Sequence, residues 1–517
     1  MIPPPASHPS LWMLLLLAVW CSESAVFAAE SRFFAIRVID AETGRGVPLV
    51  ELETVNLVKF VTDSAGYVAF DEPGLMNHDV YFSIRSHGYS FPPDGFGYRG
   101  KKLHPTAGGE TTLEVQRTNF AERLYRVTGG GIYRDSVLLK KPVPISQPVL
   151  NVGVLGSDSV LTAVFNGQIF WAWGDTQLPG YPLGLFQTPA AVSELPKGSL
   201  SPEAGVNLNY IVDPQGQAVN TAEMPGDGPT WLSGLTVLPG HDGKERLFAG
   251  YAKIKPPLTV HERGIVEFST VSSRFEKRSS FPAESPLYPD GHPFLVKEGE
   301  RTFIYFARPF PDVRVPANDE SYLDLSQYEA WSYLKPGSTR ESPIVDRMPD
   351  GRLNVGWKRH TLPRDWQLEE QLIQSGQLRR EELICTLIDR ITGKPVIAHA
   401  GSVNWNEFRH RYVMITCEVN GSSPLGEIWY SETATLPGPW MPAVKIVTHD
   451  NYSFYNPKHH PFFDQAGGRY IFFEGTYTQT FANNPVPTPR YDYNQIMYRL
   501  DLANPKAIFG SPLGYLR

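Results

Sequence analysis

Carboxylates stand next to short apolar runs at four separate points of the chain. They are Asp158, Asp290, Glu427 and Glu474. Two carboxyl groups can cleave a glycosidic bond together, because one protonates the departing oxygen while the other activates water or attacks the sugar. Glu474 lies between Phe473 and Gly475 at the end of an apolar run, where burial would raise its pKa towards that of a general acid. These four residues are the candidate catalytic groups, although Asp158 and Asp290 could also serve as turn residues.

A second set of polar and aromatic residues adjoins the same kind of apolar run. Its members are candidates for binding a substrate: Trp173, Asp175, His292, Arg308, His399, Glu418, Tyr455, His459 and Tyr477. Aromatic faces stack on sugar rings, and polar side chains bind the hydroxyl groups. Structural roles are the alternative for several of them. Asp175 could hold a turn through backbone amides, and His459 and His460 could be packed, neutral side chains beside Pro461.

Most of these residues lie at the starts and ends of strands in a pattern that recurs through most of the chain. Each copy has a polar entry, an apolar strand, a turn and an aromatic-rich strand that ends in a polar residue. The copies cover residues 157–175, 231–251, 290–308, 399–418 and 459–474. Such pairs read as neighbouring antiparallel strands, and a ring of them leaves no long strand edge exposed. The pattern predicts a five-bladed β-propeller, with an irregular stack of β-sandwiches as the alternative.

A propeller would bring the polar residues to one place. The first strand of each blade starts on one face, and the second strand ends on that face. The predicted strand starts are Asp158, Asp290, His292, His399, His459 and His460. The predicted ends are Asp175, Arg308, Glu418 and Glu474, and Glu427 begins a third strand nearby. One mouth of the central channel would then carry carboxylates, imidazoles and an arginine, a combination suited to carbohydrate.

Residues 309–398 are more than one blade needs. Within them, residues 366–383 are rich in Glu, Gln, Leu and Arg, which favour a helix. Long insertions without strands of their own are often functional. We therefore expect a partly helical insertion that forms a lid or a rim of the binding site.

The N-terminal part has a different pattern. Residues 33–92 alternate apolar and polar side chains between turn signals, which predicts a small β-sandwich. The run V-x-D-x-x-T-G-x-G-V-P-x-V from Val38, followed by T-D-S-x-G-Y-V, resembles the prealbumin-like or carboxypeptidase-regulatory-like module over residues 33–115. Such modules usually act as spacers or contact surfaces, so the resemblance implies no chemistry in this part.

Charge and targeting signals indicate which partners and which cellular location to expect. The net charge of −7 gives no reason to expect nucleic acid as a partner, and no run is long enough for a membrane span. Residues 1–28 read as a signal peptide cleaved after Ala28, so we expect a secreted or periplasmic protein. Cys21 is preceded by residues that fit a lipid-anchor signal poorly. Cys385 and Cys417 remain after cleavage, either as one disulfide or as two buried thiols.

The predicted propeller covers residues 126–510, and its blade pattern, over roughly residues 150–505, resembles the arabinanase-like five-bladed glycosidases. Trp173-Gly174-Asp175-Thr176 is also similar to a related propeller family of endo-D-arabinanases. By this resemblance, Asp158 is the general base and Asp290 tunes the acid and positions the substrate. His459 or His460 falls where a fifth-blade histidine helps to hold a central cation, so the channel could contain calcium, with His460 as the metal ligand.

The general acid of that family has no counterpart here. Blade four begins with Ala398-His399-Ala400-Gly401, where the family has a glutamate. The acid would then be Glu474 or Glu427, with Glu418 or His399 as substitutes. Hydrolysis of a glycan is the leading hypothesis, and a non-catalytic sugar-binding propeller and a polysaccharide lyase stay open beside it. No nucleotide or redox cofactor motif is present in the sequence.

Overall fold

The computed structural model describes residues 1, 31–180, 188–196, 200–383, 385–449, 451–490 and 492–504. Apart from Met1, the predicted signal peptide lies outside these residues, as does Cys21. Strands make up 44% of the chain and helices 7%, which confirms the all-β class. No helix in the described ranges is both long and apolar enough to cross a bilayer.

The first two sheets are built from residues 34–117. Their strands are β1 (Phe34–Asp40), β2 (Glu51–Thr54), β3 (Lys59–Val61), β4 (Tyr67–Phe70), β5 (Val80–Arg85), β6 (Tyr89–Ser90), β7 (Gly100–Leu103) and β8 (Glu110–Arg117). The strand orders are β4-β1-β8-β6 and β3-β2-β5-β7. Ile36 and Val38 of one sheet share an apolar cluster with Leu52 and Phe82 of the other. Burial of one face of each strand stabilises this pair of sheets.

Five more sheets follow along the chain. Their first elements are β9 (Glu122–Arg126), α1 (Arg134–Leu138), β10 (Gly156–Ser157), β11 (Leu161–Phe165), β12 (Gln168–Ala172), β13 (Thr176–Gln177), β14 (Ala190–Ser193), β15 (Asn209–Tyr210), β16 (Thr230–Pro239), β17 (Glu245–Lys255), β18 (Thr259–Ser269) and β19 (Arg274–Phe281). The elements from the third sheet onwards are β20 (His292–Glu298), β21 (Arg301–Ala307), β22 (Val313–Pro316), α2 (Asp319–Leu323), β23 (Glu329–Ser332), β24 (Gly356–Lys358), α3 (Trp366–Gln374), β25 (Leu387–Ile388), β26 (Pro395–Val396), β27 (Ala398–Asn406), β28 (Arg411–Val419), β29 (Leu425–Thr433), β30 (Val444–Val447), β31 (Ser453–His459), β32 (Tyr470–Thr478) and β33 (Asn494–Asp501).

The five sheets have the same antiparallel plan. Their orders are β11-β12-β14-β15 (sheet 1), β16-β17-β18-β19 (sheet 2), β20-β21-β22-β23-β24 (sheet 3), β27-β28-β29-β30 (sheet 4) and β31-β32-β33-β9 (sheet 5). Sheet 5 thus takes its last strand from the chain before sheet 1. Two short pairs, β10-β13 and β25-β26, lie beside this series.

The five sheets are arranged in a ring. The first strands β11, β16, β20, β27 and β31 contact one another in this order. Sheet 5 returns to sheet 1 through the Asn456 amide, which donates to Ser159 Oγ at 2.5 Å, and through Thr476 Oγ1, which accepts from the Ser159 backbone. We call the end of the ring where the first strands begin, and where the second strands end, the mouth.

Apolar clusters fill the spaces between consecutive sheets. Phe170 of sheet 1 belongs to one cluster with Leu247 of sheet 2, for example, and Ile415 of sheet 4 shares another with Phe473 of sheet 5. Inner strands such as β17 and β32 therefore bury both of their faces between neighbouring sheets. This packing explains why the strands read as apolar and aromatic runs.

The predicted fifth repeat is wrong in register. Its first strand was expected at His459, but β31 occupies Ser453–His459, and residues 461–463 form a 3-10 turn. Pro457 reads as a strand breaker in the sequence. The structure accommodates it with an irregularity in pairing between Tyr455 and Lys458, where Asn456 has a φ of 49°. The shift moves His459 and His460 from the predicted start of the strand to its far end.

The insertion has less helix than the sequence suggests. Helix α3 begins at Trp366 as predicted, with the Asp365 carboxylate as its N-cap, but it ends at Gln374. The reason is Gly376, whose φ of 73° is outside the helical region. Within the insertion, the segment before α3 packs against the loop after β21, since Arg364 stacks on the Phe310 ring at 4.6 Å.

Candidate active site

Polar and aromatic side chains from all five sheets surround the mouth. Asp158 and Asp175 come from sheet 1, Trp231 and Ser233 from sheet 2, Asp290 and Arg308 from sheet 3, His399 from sheet 4, and Tyr455 and Asn456 from sheet 5. The chain supplies them from the beginnings of first strands and the ends of second strands. Because the plan of each sheet is the same, equivalent positions meet at one place.

Asp158 stands just before the first strand of sheet 1. Its Oδ2 accepts a hydrogen bond of 3.0 Å from the Tyr455 hydroxyl on sheet 5. Its backbone is fixed by Gly174 and Asp175, through N–H···O bonds of 2.8 and 3.0 Å. A Cβ on Gly174 would lie 2.2 Å from Asp158 Oδ1, so glycine is required here to make room for the carboxylate.

Asp175 follows the second strand of sheet 1 and belongs to the same group. It interacts with the indole of Trp231, which lies at the start of sheet 2 and is 37% exposed. The Asp175 carboxylate is near enough to Asp158 for its charge to affect the pKa of that residue. The sequence left open whether Asp175 was only a turn residue, and the structure gives it both a carboxylate neighbour and an aromatic neighbour.

The two carboxyl groups have raised pKa values. Burial, reinforced by the charge of Asp175, raises the pKa of Asp158 to about 7, although hydrogen bonds to Tyr455 and Ser159 oppose the shift. Burial raises the pKa of Asp175 to about 6, against the effect of Trp231. Two coupled carboxyl groups therefore titrate close to neutral pH at the mouth, as an acid and a base working together require.

Asp290 has the opposite electrostatic state. It forms an ion pair with Arg308, and its oxygens accept hydrogen bonds from Tyr288 at 2.7 Å and Ser233 at 2.9 Å. Burial alone would raise the pKa of Asp290, but Arg308 and the two hydroxyl groups bring it below the ordinary value. Asp290 is therefore a permanent carboxylate, which holds Arg308 in position.

The Arg308 guanidinium has room for a ligand. Its Nη1 donates hydrogen bonds to both Asp290 and the Tyr288 hydroxyl oxygen. The side chain is 56% exposed at the mouth. Because one edge of the guanidinium is fixed, the remaining donors can be directed at a substrate oxygen without much loss of side-chain entropy.

His399 completes the circle between sheets 3 and 5. Burial and the charge of Arg308 lower its pKa to about 4, so the imidazole is neutral at physiological pH. Its Nδ1 lies 3.6 Å from Cys417 Sγ. Both cysteines are free, buried thiols, and burial raises the pKa of Cys417 to about 12, so this cysteine is not an active nucleophile.

Glu474 does not lie at the mouth as predicted. It is in the middle of β32, opposite Lys458, and its side chain is 0% exposed. The sequence prediction failed because the second strand continues past Glu474 to Thr478. Its nearest titratable neighbours, which are also buried, are Lys458 and His460.

We call Glu474, Lys458, His460 and His292 the channel cluster. Burial raises the pKa of Glu474 and lowers that of Lys458, and each opposes the shift of the other. Burial also lowers the pKa values of His460 and His292, so both imidazoles are neutral. His292 and His460, predicted to contact substrate and metal, are therefore sealed inside the ring.

The channel cluster is a poor calcium site. Calcium takes six to eight oxygen ligands. Around His460 the cluster offers the two oxygens of Glu474 and imidazole nitrogens, with Lys458 as a competing cation. Within the described ranges, no three His, Cys, Asp or Glu side chains are grouped to hold a metal. These residues do not fit the cation that the family resemblance implied.

Glu427 and Glu418 lie towards the outside of sheet 4. Glu427 is buried, accepts hydrogen bonds from Ser422 and Thr448, and pairs with Lys445 at 3.1 Å. Glu418 accepts from the Trp429 indole at 2.8 Å, and burial raises its pKa. The prediction that Glu427 reaches the mouth as the acid is wrong, because β29 is the third strand from the channel.

Three further predicted binding residues also lack access to the mouth. Trp173 and Tyr477 are each 1% exposed and pack in the clusters between sheets. The Tyr477 hydroxyl bonds to His87 of the N-terminal sheets. His459 is fixed by Asp464 at 2.8 Å, beyond the far end of β31. Strand periodicity alone could not distinguish these packed side chains from sugar platforms.

Sequence reasoning missed two exposed aromatic residues at the mouth. Trp231 was assigned to a strand without a role, and Phe481 was not singled out. Phe481 is 56% exposed, with a φ of 63°, and its ring lies 6.2 Å from that of Tyr455. An aromatic residue at the start of a first strand, or in the loop that follows a second strand, is the signal that would have found both.

No family model matches the chain, and no curated protein matches it. Among solved structures, it is similar to a putative hydrolase from Bacteroides ovatus, with 13% identity, 70% of this chain and 90% of that chain covered, and a TM-score of 0.41. It is also similar to an exo-β-1,3-galactanase from Phanerochaete chrysosporium, with 8% identity, 73% and 65% coverage, and a TM-score of 0.38.

A third similar structure is an exo-1,5-α-L-arabinanase from a bovine ruminal metagenomic library. The identity is 9%, the alignment covers 67% of this chain and 94% of that chain, and the TM-score is 0.34. Arabinanases are the enzymes that the blade pattern resembles. With TM-scores below 0.5, function has to be argued from the residues of this chain.

Proposed function

We propose that the chain is a glycoside hydrolase with its active site at the mouth. The observation that carries the proposal is the coupled pair of Asp158 and Asp175, with pKa values of about 7 and about 6 at the meeting point of all five sheets. Exposed Trp231, which bonds to Asp175, supplies an aromatic face for a sugar, and the fixed Arg308 elsewhere on the mouth supplies hydrogen-bond donors.

The pKa values support an allocation of roles. Asp158, whose pKa is raised both by burial and by the charge of Asp175, holds the proton and donates it to the departing glycosidic oxygen. Asp175 is ionised and removes a proton from a water molecule, whose oxygen forms a bond to the anomeric carbon as the bond between that carbon and the departing glycosidic oxygen breaks. Both carboxyl groups return to their starting states by exchange with solvent. The family resemblance gave Asp158 the opposite role of base, and the electrostatics favour the acid.

Asp290 acts through Arg308 in this mechanism. Its charge holds the guanidinium in place at the mouth, and neutral His399 lies close enough to Arg308 to feel its charge. Arg308 is thus a positioning residue for substrate hydroxyl groups, while Asp290 keeps it from moving.

The first test is a screen of the chain from residue 29 on plant, algal and bacterial glycans. New reducing ends, lost in Asp158→Asn and in Asp175→Asn, are the expected result. Asp213→Asn is the matched control, because Asp213 only accepts turn hydrogen bonds from Gln215 and Gln217. Proton NMR of the first product shows whether the anomeric configuration is retained or inverted.

Two other results would contradict the proposal. Near-ultraviolet absorbance of unsaturated uronates would mean a lyase, in which Arg308 neutralises a uronate carboxylate. Binding of a glycan that the chain does not cleave under any condition tested would mean a sugar-binding protein. Loss of activity in Asp213→Asn as well would show that the carboxylate substitutions act through the fold.

We also propose the finer architecture that the sheet order supports. The ring would be a five-bladed β-propeller over residues 126–510, and residues 33–115 would be a β-sandwich of the carboxypeptidase-regulatory-like kind. The chain would be exported after cleavage behind Ala28, which Edman sequencing of protein from the culture medium or the periplasm tests. A mature N-terminus at Ala29 is expected, and an intact Met1 in an exported or a retained chain would contradict the signal-peptide prediction.

A further inference from the structure

A cavity of about 460 Å³ opens beside the mouth, between the loops of sheets 4 and 5. It is lined by residues 420–424, which follow β28, by Asn451, which precedes β31, and by residues 482–485, which follow β32. All three segments lie at the end of the ring where first strands begin and second strands end. The cavity therefore shares a face with the Asp158–Asp175 pair.

The lining is polar but carries no charge. Asn420, Asn451 and Asn483 have exposed side chains, and within the described part of the chain none of these amides has a hydrogen-bond partner. Each amide offers two donors and an acceptor. A neutral surface of this kind matches sugar hydroxyl groups, and an anionic ligand would find no cation in the lining.

A chain of aromatic contacts joins the cavity to the carboxyl pair. Tyr455 donates to Asp158, and the Phe481 ring lies against Tyr455. Phe481 directly precedes the segment that lines the cavity. Its positive φ of 63° is costly for a bulky residue, so the surrounding structure holds the ring in an exposed position that the backbone alone disfavours.

Two glutamates, Glu427 buried and Glu418 half-buried, lie against the other side of the cavity. Glu427 accepts a hydrogen bond from Ser422, and Thr448 donates to the same oxygen at 2.9 Å. Glu418 lies under Gly421, where a Cβ would come within 2.8 Å of its Oε2. The two glutamates that the sequence suggested for catalysis instead fix the loop that forms this wall.

We propose that this cavity is a distal subsite for a neutral sugar unit of the glycan, with Phe481 as the stacking platform between it and the carboxyl pair. The inference rests on the proposed function, and it narrows the substrate to a neutral chain of linked sugars. A substrate that spans both places gains affinity from each, whereas a short one reaches only the carboxyl pair.

The test compares long and short substrates in variants suited to left-handed backbone. Phe481→Gly and Asn483→Gly remove the side chains without adding strain, since glycine accepts a positive φ. We expect kcat/KM to fall about tenfold on the polymer, while it changes less than about twofold on the shortest oligosaccharide that is cleaved. Asn166→Gly, in an exposed turn with a φ of 49° at the opposite end of the ring, is the matched control.

Binding separates this inference from the proposed function. Affinity electrophoresis of Asp175→Asn uses linear arabinan, β-1,3-galactan and polygalacturonate as probes. Retardation by a neutral glycan, weakened by Phe481→Gly, supports the subsite even if no glycan is cleaved. Equal losses on long and short substrates, unchanged retardation in both variants, retardation by polygalacturonate alone, or no retardation by any probe would overturn it.

Discussion

The mouth and the channel cluster both contain carboxyl groups with raised pKa values, but water reaches only the mouth. Asp158 and Asp175 share the mouth with exposed Trp231 and Arg308, whereas Glu474 is sealed with Lys458 inside the ring. Burial shifts the pKa in both regions. A raised pKa therefore marks a candidate catalytic group only where a ligand can approach it.

Catalysis should separate the two regions most strongly. Replacing Asp158 by Asn should lower kcat/KM by about a thousandfold, because the departing oxygen loses its proton donor. Glu474→Gln, the equivalent change in the channel cluster, should leave kcat/KM within about threefold at a temperature where both variants are folded. Initial rates on the glycan found by the screen measure this, and a thousandfold loss in Glu474→Gln would reverse our assignment.

Stability should separate them in the other direction. Lys458→Met removes the cation that faces Glu474 and should lower the free energy of unfolding by about 2 kcal/mol, since a buried polar group loses its neighbour. Adding Glu474→Gln should restore part of this loss. Urea unfolding of both single variants and of the double variant gives the coupling energy. Independent, additive effects would show that the two side chains do not interact.

Arg308→Lys should have a moderate effect at the mouth. Lysine keeps the charge but cannot bond to Asp290 and a substrate oxygen with one planar group, so kcat/KM should fall about tenfold. Arg352→Lys is a suitable control, because Arg352 is an exposed residue of the insertion with only a local partner, Asp350. Full activity in Arg308→Lys would mean that only the positive charge matters.

The pH profile sharpens the allocation of acid and base. We expect kcat/KM to rise through a pKa of about 6 and fall through a pKa of about 7, as values of the coupled pair. Tyr455→Phe removes a hydrogen bond that favours ionised Asp158, so its falling limb should move to higher pH. A limb that does not move would assign the upper pKa to another group. Tyr412→Phe, at the other end of β28, should leave the profile unchanged.

Stability should also depend on pH through the two carboxyl groups of the mouth. The folded-state pKa values of Asp158 and Asp175 are raised, so their contribution to stability is complete below about pH 4 and is lost as the pH rises through 6 to 7. The Asp158→Asn variant lacks the titrating carboxyl group. Its free energy of unfolding should therefore increase relative to that of the wild type between pH 4.5 and pH 7.5. Urea midpoints at the two pH values measure the difference, and a gap that does not change with pH would contradict the raised pKa.

The sequence predicted much of the ring because local signals agree with the tertiary structure in sheets 1 to 4. Asn166-Gly167, for example, forms the turn between β11 and β12 that the dipeptide indicates. The prediction for sheet 5 was wrong because Pro457 disfavours a strand in the sequence. In the structure, pairing with the neighbouring strand keeps β31 extended through Pro457. Tertiary packing overrode the local signal there.

The site shows the same division. Asp158, Asp290 and Arg308 were predicted at the mouth because they adjoin strands whose register was correct. Glu474 was misplaced because four more residues of β32 follow it, and the apolar pattern does not show where a buried strand ends. The contact between Trp231 and Asp175 links two different sheets, so the spacing of these residues along the chain does not predict it.

The closing strand β9 affects how the protein can fold during its synthesis on the ribosome. Its partner β33 lies more than 360 residues later in the chain, at Asn494–Asp501. Asp158 likewise meets Tyr455 only when the late part of the chain has emerged. Domains tend to fold in the order of their synthesis, but this one cannot finish its first-made edge until its last strand arrives. The mouth can therefore be assembled only when synthesis is almost complete.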